Sequence, residues 1–368
     1  MRSERTALNG KKPELGWAGK VFLLGVGLLI AFAGAEIGFR AYDYIGKQAQ
    51  GETWAVYDED LGYRNRPNYG DHNADGLRRP PIGPKQGRFR ILMLGDSVAY
   101  YGDSAADTFV GRLGAVLNHD PALAPSEVIN AGTKGYTNYQ ELVYLKKYGV
   151  KFQSDLVGVA FVLNDLHKFL HQFEVKDGQI VGQSYHFSPE AIQSVDSWVY
   201  RLARKSVFLV WLRENVSLLG RWADLRAAQG YTFDYRPDFN TAWKEEAWEP
   251  IAAQLGEMVA LGKEAGFRVF LVAFPFGEQL RADYLARDRA HVTRPQQRLK
   301  LICERLDIPY LDLFSDIGAE KHLVSDGIHL TREGRELAAK RIAAFLAEQE
   351  LIPRSRLGGS SGAAGGDR

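Results

Sequence analysis

Ser97 in Gly95-Asp96-Ser97 and His329 in Asp326-Gly327-Ile328-His329 supply a nucleophile, a base and an orienting carboxylate. A serine hydroxyl attacks a carbonyl only when an imidazole takes its proton. That imidazole keeps the right tautomer only when an acid holds its other nitrogen. The spacing of Asp326 and His329 puts both side chains on one short loop, as a base and its partner require. A Gly-Asp-Ser tripeptide arises by accident in on the order of one in ten chains of this size, so what lies between must decide.

Acyl transfer also needs donors aimed at the oxyanion of a tetrahedral intermediate. The short strand expected over 126–131 runs into Gly132-Thr133-Lys134-Gly135, whose glycines let backbone N–H groups approach a substrate. The apolar run 157–163 ends in Asn164-Asp165, which places Asn164 at the carboxyl end of a buried strand with its amide free to donate. In open α/β sheets ligands bind at those ends.

Taken in order, Ser97 in Gly-Asp-Ser, Gly135 after Asn130-Ala131-Gly132, Asn164 followed by Asp, and Asp326-x-x-His329 resemble the SGNH hydrolases, also called the GDSL lipase/esterase family. The resemblance runs from about Arg88 to Gln349. It implies a flavodoxin-like three-layer α/β/α sandwich around a central parallel sheet. It also implies Ser97 as nucleophile, His329 as base, Asp326 as its partner, and an oxyanion hole made by the Ser97 and Gly135 N–H groups with the Asn164 side chain. One position departs: the third block usually reads Gly-x-Asn-Asp, and here it begins with Val162.

Strands to position these blocks are expected at 89–94, 126–131, 156–163, 267–274 and 308–313. Helices are expected at 107–118, 138–149, 241–265 and 293–306. That alternation gives a parallel sheet covered on both faces. Thr331 is expected to cap a last helix, fixing His329 just before its start. Residues 166–240 exceed what the fold needs and are expected to form a helical insertion carrying Trp198, Trp211 and Trp222. A lid or sugar-stacking surface is attractive there, but ordinary packing is the plainer reading.

The N-terminus sets the compartment. Arg2, Arg5, Lys11, Lys12 and Lys20 precede the apolar run 21–35, with the positive charge on the side that stays in the cytoplasm. We expect a cytoplasmic segment 1–16, a signal-anchor over 17–39, an extracytoplasmic connector over 40–88 packed on the hydrolase domain 89–350, and a disordered tail 351–368. Ala31-Phe32-Ala33 and Ala33-Gly34-Ala35 resemble cleavage sites, so a cleaved signal is the alternative; export follows either way.

Composition limits the rest. The 368 residues carry a net charge of +1 with no long basic stretch toward the C-terminus, so no nucleic-acid partner is expected. Cys303 is the lone cysteine, which excludes an intrachain disulfide framework. His167 and His171 stand four apart with Glu174 beyond, a metal-ligand spacing on a helix, yet a solvated helix face is the plainer reading. His322 is a weaker rival to His329, because no carboxylate precedes it at matching spacing. Asp96 is expected to tie its own loop, and Asp165 to cap the following helix. No metal or organic cofactor is expected. The reading is an extracytoplasmic serine esterase acting on O-acyl groups of cell-surface glycan or lipid, or on a small ester. The alternatives are an O-acyltransferase with the same residues, or a non-catalytic glycan-binding or assembly protein. Oligomeric state is not legible.

Overall fold

The apolar run 21–35 holds neither proline nor charge, so nothing interrupts its helix: α1 spans Trp17–Ala49. At 1.5 Å per residue its 33 residues reach about 50 Å. The stretch Trp17–Tyr42 is long and apolar enough to cross a bilayer, whose hydrocarbon core is about 30 Å thick. The computed structural model describes residues 16–49, 54–176, 179–185, 206–209, 230–236 and 238–355. These fall into two compact units, Met1–Gly51 with Ser197–Arg221, and Glu52–Asp196 with Trp222–Arg368. In the first, the Glu36 carboxylate of α1 accepts the Ser206 hydroxyl at 2.6 Å and the N–H groups of Val207 and Phe208 at 3.1 Å. It thereby satisfies the start of a helical turn at 207–209, where orphan N–H groups need an acceptor.

The second unit begins with a hairpin, β1 (Ala55–Asp58) against β2 (Gly62–Asn65). There follow β3 (Phe89–Gly95), the short α2 (Ser97–Tyr100), α3 (Phe109–His119), β4 (Ser126–Asn130) and α4 (Asn138–Tyr144). Next come β5 (Leu156–Phe161), a second hairpin of β6 (His171–Lys176) and β7 (Gln179–Tyr185), then α5 (Trp248–Ala265) and β8 (Arg268–Ala273). The chain continues through α6 (Ala282–Val292), α7 (Arg294–Leu306), β9 (Tyr310–Asp312), α8 (Ala319–His322) and α9 (Arg332–Glu348).

Five strands pair in parallel in the order β4-β3-β5-β8-β9. Parallel sheets need both faces covered, and here α3 packs with α9 while α4, α5 and α7 pack together. The central β5 is buried at every residue, which is why its sequence is an unbroken apolar run rather than an alternation. This is the flavodoxin-like α/β/α sandwich that the motif order implies. The order reverses between β3 and β5, so the crevice beyond their carboxyl ends is the place where such folds bind ligands.

Several expectations change in detail. The helical insertion expected over 166–240 begins, where it is described, as the antiparallel β6–β7 hairpin; Trp198, Trp211 and Trp222 lie outside the described residues. The helix expected over 138–149 is α-helical only to Tyr144 and widens into a π turn over Leu145–Gly149. The disordered tail expected from 351 does not begin there: Leu351 and Ile352 are buried, and the Pro353 carbonyl accepts the Ala124 N–H at 2.9 Å. Residues beyond 355 lie outside the described set.

Candidate active site

Ser97 opens α2 at the carboxyl end of β3, directly after the fully buried Asp96. The turn is fixed by Asp96 itself, whose Oδ1 accepts the Val98 N–H at 2.8 Å and so caps α2. The expectation that Asp96 ties its loop matches this contact. With the turn fixed, the Ser97 hydroxyl lies 2.8 Å from His329 Nε2 and 3.4 Å from Asp96 Oδ2. The shorter contact is the one that can carry the proton.

His329 is held from its other side. Its Nδ1 lies 2.6 Å from Asp326 Oδ2, so with Nδ1 protonated Nε2 is left as the acceptor toward serine. Asp326 Oδ1 meanwhile accepts the Ile328 and His329 N–H groups at 2.8 and 3.0 Å. Burial alone would raise the Asp326 carboxyl, but the imidazole and these two N–H groups outweigh it and hold it below the usual carboxylate range. The loop turns at Gly327, φ +74°, and Thr331 then caps α9 by accepting the Gly334 N–H, as its place in the sequence suggests.

The other two candidates arrive on neighbouring strands. Asn164 follows β5 on a 3-10 turn (Leu163–Leu166), and its Nδ2 donates to Asp96 Oδ2 at 3.3 Å, which sets the amide beside the serine turn. Val162, where a glycine was the family norm, has φ −121° and ψ 154°, ordinary extended backbone that valine adopts without strain. Asp165 does not cap the following helix: it lies within the turn and reaches back, accepting the Val162 N–H at 2.8 Å. Gly135 ends the loop after β4 with φ +69°, and a Cβ there would collide with the His171 ring. Both facts demand glycine. Neither the Ser97 nor the Gly135 N–H has an acceptor among the described residues.

The loop carrying Gly135 is braced by the hairpin that precedes the first core strand. Asn65 Nδ2 donates to the Gly132 carbonyl and to Thr133 Oγ1, both at 3.1 Å, and the Tyr63 hydroxyl donates to the Lys134 carbonyl at 2.6 Å. Tyr136 returns the contact, its hydroxyl donating to the Tyr63 carbonyl at 2.7 Å. Sequence reasoning gave this segment no role beyond packing. Asn73-Ala74-Asp75-Gly76 forms a turn, with Asn73 Oδ1 accepting the Asp75 and Leu77 N–H groups.

Behind the serine turn, Asp96, Glu141 and Asp165 are all buried. Burial raises each carboxyl; the Asp96 charge raises Glu141 further, and Glu141 with Asp96 raises Asp165. The three buried carboxyls thus each hold a proton more readily than a solvated carboxyl does. His167 and His171 do not share a helix face, since one ends the 3-10 turn and the other starts β6. His167 Nε2 donates to the Asp238 carbonyl, and among the described residues no group of His, Cys, Asp and Glu could hold a metal ion. His322 Nδ1 accepts the Gly318 N–H within α8's own turn.

Residues 93–337 match the GDSL-like lipase/acylhydrolase family. The chain belongs to that family. Within it, the GDSL-like chain is similar in fold to a lipase/acylhydrolase from Enterococcus faecalis, at 16% identity over 73% of this chain and 98% of that one, with a TM-score of 0.41. It is also similar to a catalytic mutant of Axe2, an acetylxylan esterase from Geobacillus stearothermophilus, at 13% identity over 71% and 94% of the two chains, with a TM-score of 0.40. No curated protein matches the GDSL-like chain.

Proposed function

We propose that the protein is a membrane-anchored, extracytoplasmic serine esterase that hydrolyses carboxyl esters, with O-acyl groups of cell-surface glycan or lipid as its substrates. The observation that carries this reading is the continuous chain Ser97 Oγ to His329 Nε2 at 2.8 Å and His329 Nδ1 to Asp326 Oδ2 at 2.6 Å. Ser97 attacks the acyl carbonyl while His329 takes its proton. The negative charge that develops on the carbonyl oxygen is received by the Ser97 and Gly135 N–H groups and by Asn164 Nδ2. His329 then gives its proton to the departing alcohol, leaving an acyl-serine, and water activated by the same imidazole releases the acid. Asp326 stays ionised throughout and stabilises the imidazolium. None of these steps calls on a cofactor.

The membrane reading rests on α1 and its basic flank: segment 1–16 lies in the cytoplasm, 17–39 anchors, and the hydrolase domain stands outside. Fluorophosphonate labelling of the purified full chain tests the chemistry. Ser97→Ala should abolish both labelling and ester hydrolysis while circular dichroism stays that of the wild type. Turnover by a folded Ser97→Ala variant would reject Ser97 as the nucleophile.

A further inference from the structure

Lys134, the residue before Gly135, carries its ammonium into a ring of aromatic side chains. Nζ lies 5.0 Å from the Trp54 ring centroid, 4.8 Å from that of Tyr100 and 5.3 Å from that of Tyr101. Tyr101 in turn stands edge-on to the His329 imidazole, with 4.6 Å between centroids. The ammonium is thus one ring removed from the base, on a residue next to a proposed oxyanion donor.

Among the described residues no carboxylate pairs with Lys134 and no acceptor takes its N–H groups. The acids nearby are engaged: Asp71 is held by Arg78 and Asp326 by His329. Arg78 adds a second positive charge over the Tyr100 ring, its guanidinium carbon 4.8 Å from the centroid, and spends its donors on Asp71 and on the Tyr100 and Gly102 carbonyls. Burial pushes the Lys134 ammonium down, Arg78 pushes it the same way, and no carboxylate opposes them. Aromatic faces attract a cation but are poor acceptors for its three donors, so the cage positions the charge without satisfying it.

We propose that Lys134 is a specificity-determining residue that receives an anionic group, a carboxylate or a phosphate, on the alcohol half of the ester. The alcohol half follows from Tyr101: it flanks His329, which returns the proton to the departing alcohol, so groups beside Tyr101 border that product. The chain withholds a counter-ion, and the substrate brings one. This inference rests on the esterase reading above.

The test uses the full chain in a nonionic detergent and three acetyl esters: 4-acetoxybenzoate, 4-acetoxyphenyl phosphate and the neutral 4-acetoxybenzamide. The readout is the ratio of kcat/KM for each anionic ester to that for the amide, compared between wild type and variants so that intrinsic reactivity cancels. The wild-type ratio should exceed that of Lys134→Met by tenfold or more, Lys134→Arg should retain most of it, and added salt should erode it. Whichever anionic ester shows the larger drop identifies carboxylate or phosphate as the group received. Equal ratios in wild type and Lys134→Met would overturn the proposal, with the lysine then a structural staple, while leaving the esterase reading intact. No hydrolysis of any of the three would instead strike the esterase reading, and this inference with it.

Discussion

Tyr63 donates its hydroxyl hydrogen to the Lys134 carbonyl across 71 residues of sequence, tying the first hairpin to the loop that presents Gly135. A single such bond contributes about 1 kcal/mol net, roughly a fivefold effect, so its removal loosens the loop without unmaking it. Tyr63→Phe should therefore lower kcat by about fivefold, with a smaller change in KM, because the proposed Gly135 donor matters most when charge develops. Steady-state kinetics on a neutral acetyl ester checks this. An unchanged kcat would mean that the loop holds its own shape.

Asn164→Ala removes a side-chain donor that the proposed mechanism uses in the transition state. The expected loss is about a hundredfold or more in kcat, with KM little changed. Wild-type kcat in this variant would show that the amide serves only to hold Asp96.

Glu141 gives a prediction about pH and stability. It is buried, with both carboxyl oxygens lacking partners among the described residues, and burial followed by the Asp96 charge raises its carboxyl well above the ordinary value. Folding therefore takes up a proton at any pH between the ordinary carboxylate value, about 4.3, and the raised one. The wild type loses stability as pH climbs through that window, by up to about 1.4 kcal/mol per unit, whereas a glutamine has no proton to take up. The melting temperature of Glu141→Gln minus that of the wild type should grow between pH 5 and pH 8. A flat difference would mean that Glu141 is ionised in the fold.

Topology is checked by protease. Added to intact spheroplasts, it should digest the hydrolase domain and leave a membrane-embedded fragment containing α1. Full protection would place the domain in the cytoplasm and sink the proposed orientation.

The parallel sheet was legible because its strands are buried on both faces and so appear as apolar runs, as in Leu92-Met93-Leu94 and Val157 to Phe161. The motif residues were legible because turns need particular side chains: glycine at Gly135 and Gly327, an acid at Asp96. What escaped is long-range. Tyr63 and Asn65 sit among turn-forming residues in a strand of four, too short for any periodicity, and their partners lie some 70 residues away. Spacing misled at His167 and His171, where an interval of four suggested a helix and the chain instead enters a strand. Helix α6 was missed because Asp283, Arg287, Asp288 and Arg289 leave little apolar stripe to recognise.

Ser97 and His329 stand 232 residues apart in the chain yet share one hydrogen bond. Synthesis delivers residues in order, at about 5–20 per second, so the serine turn precedes its imidazole by on the order of 10–50 seconds. During that interval Ser97 is an ordinary alcohol, with nothing to take its proton. Because the base comes last, the serine gains its hydrogen-bond partner only when α9 docks on α3 and the fold closes.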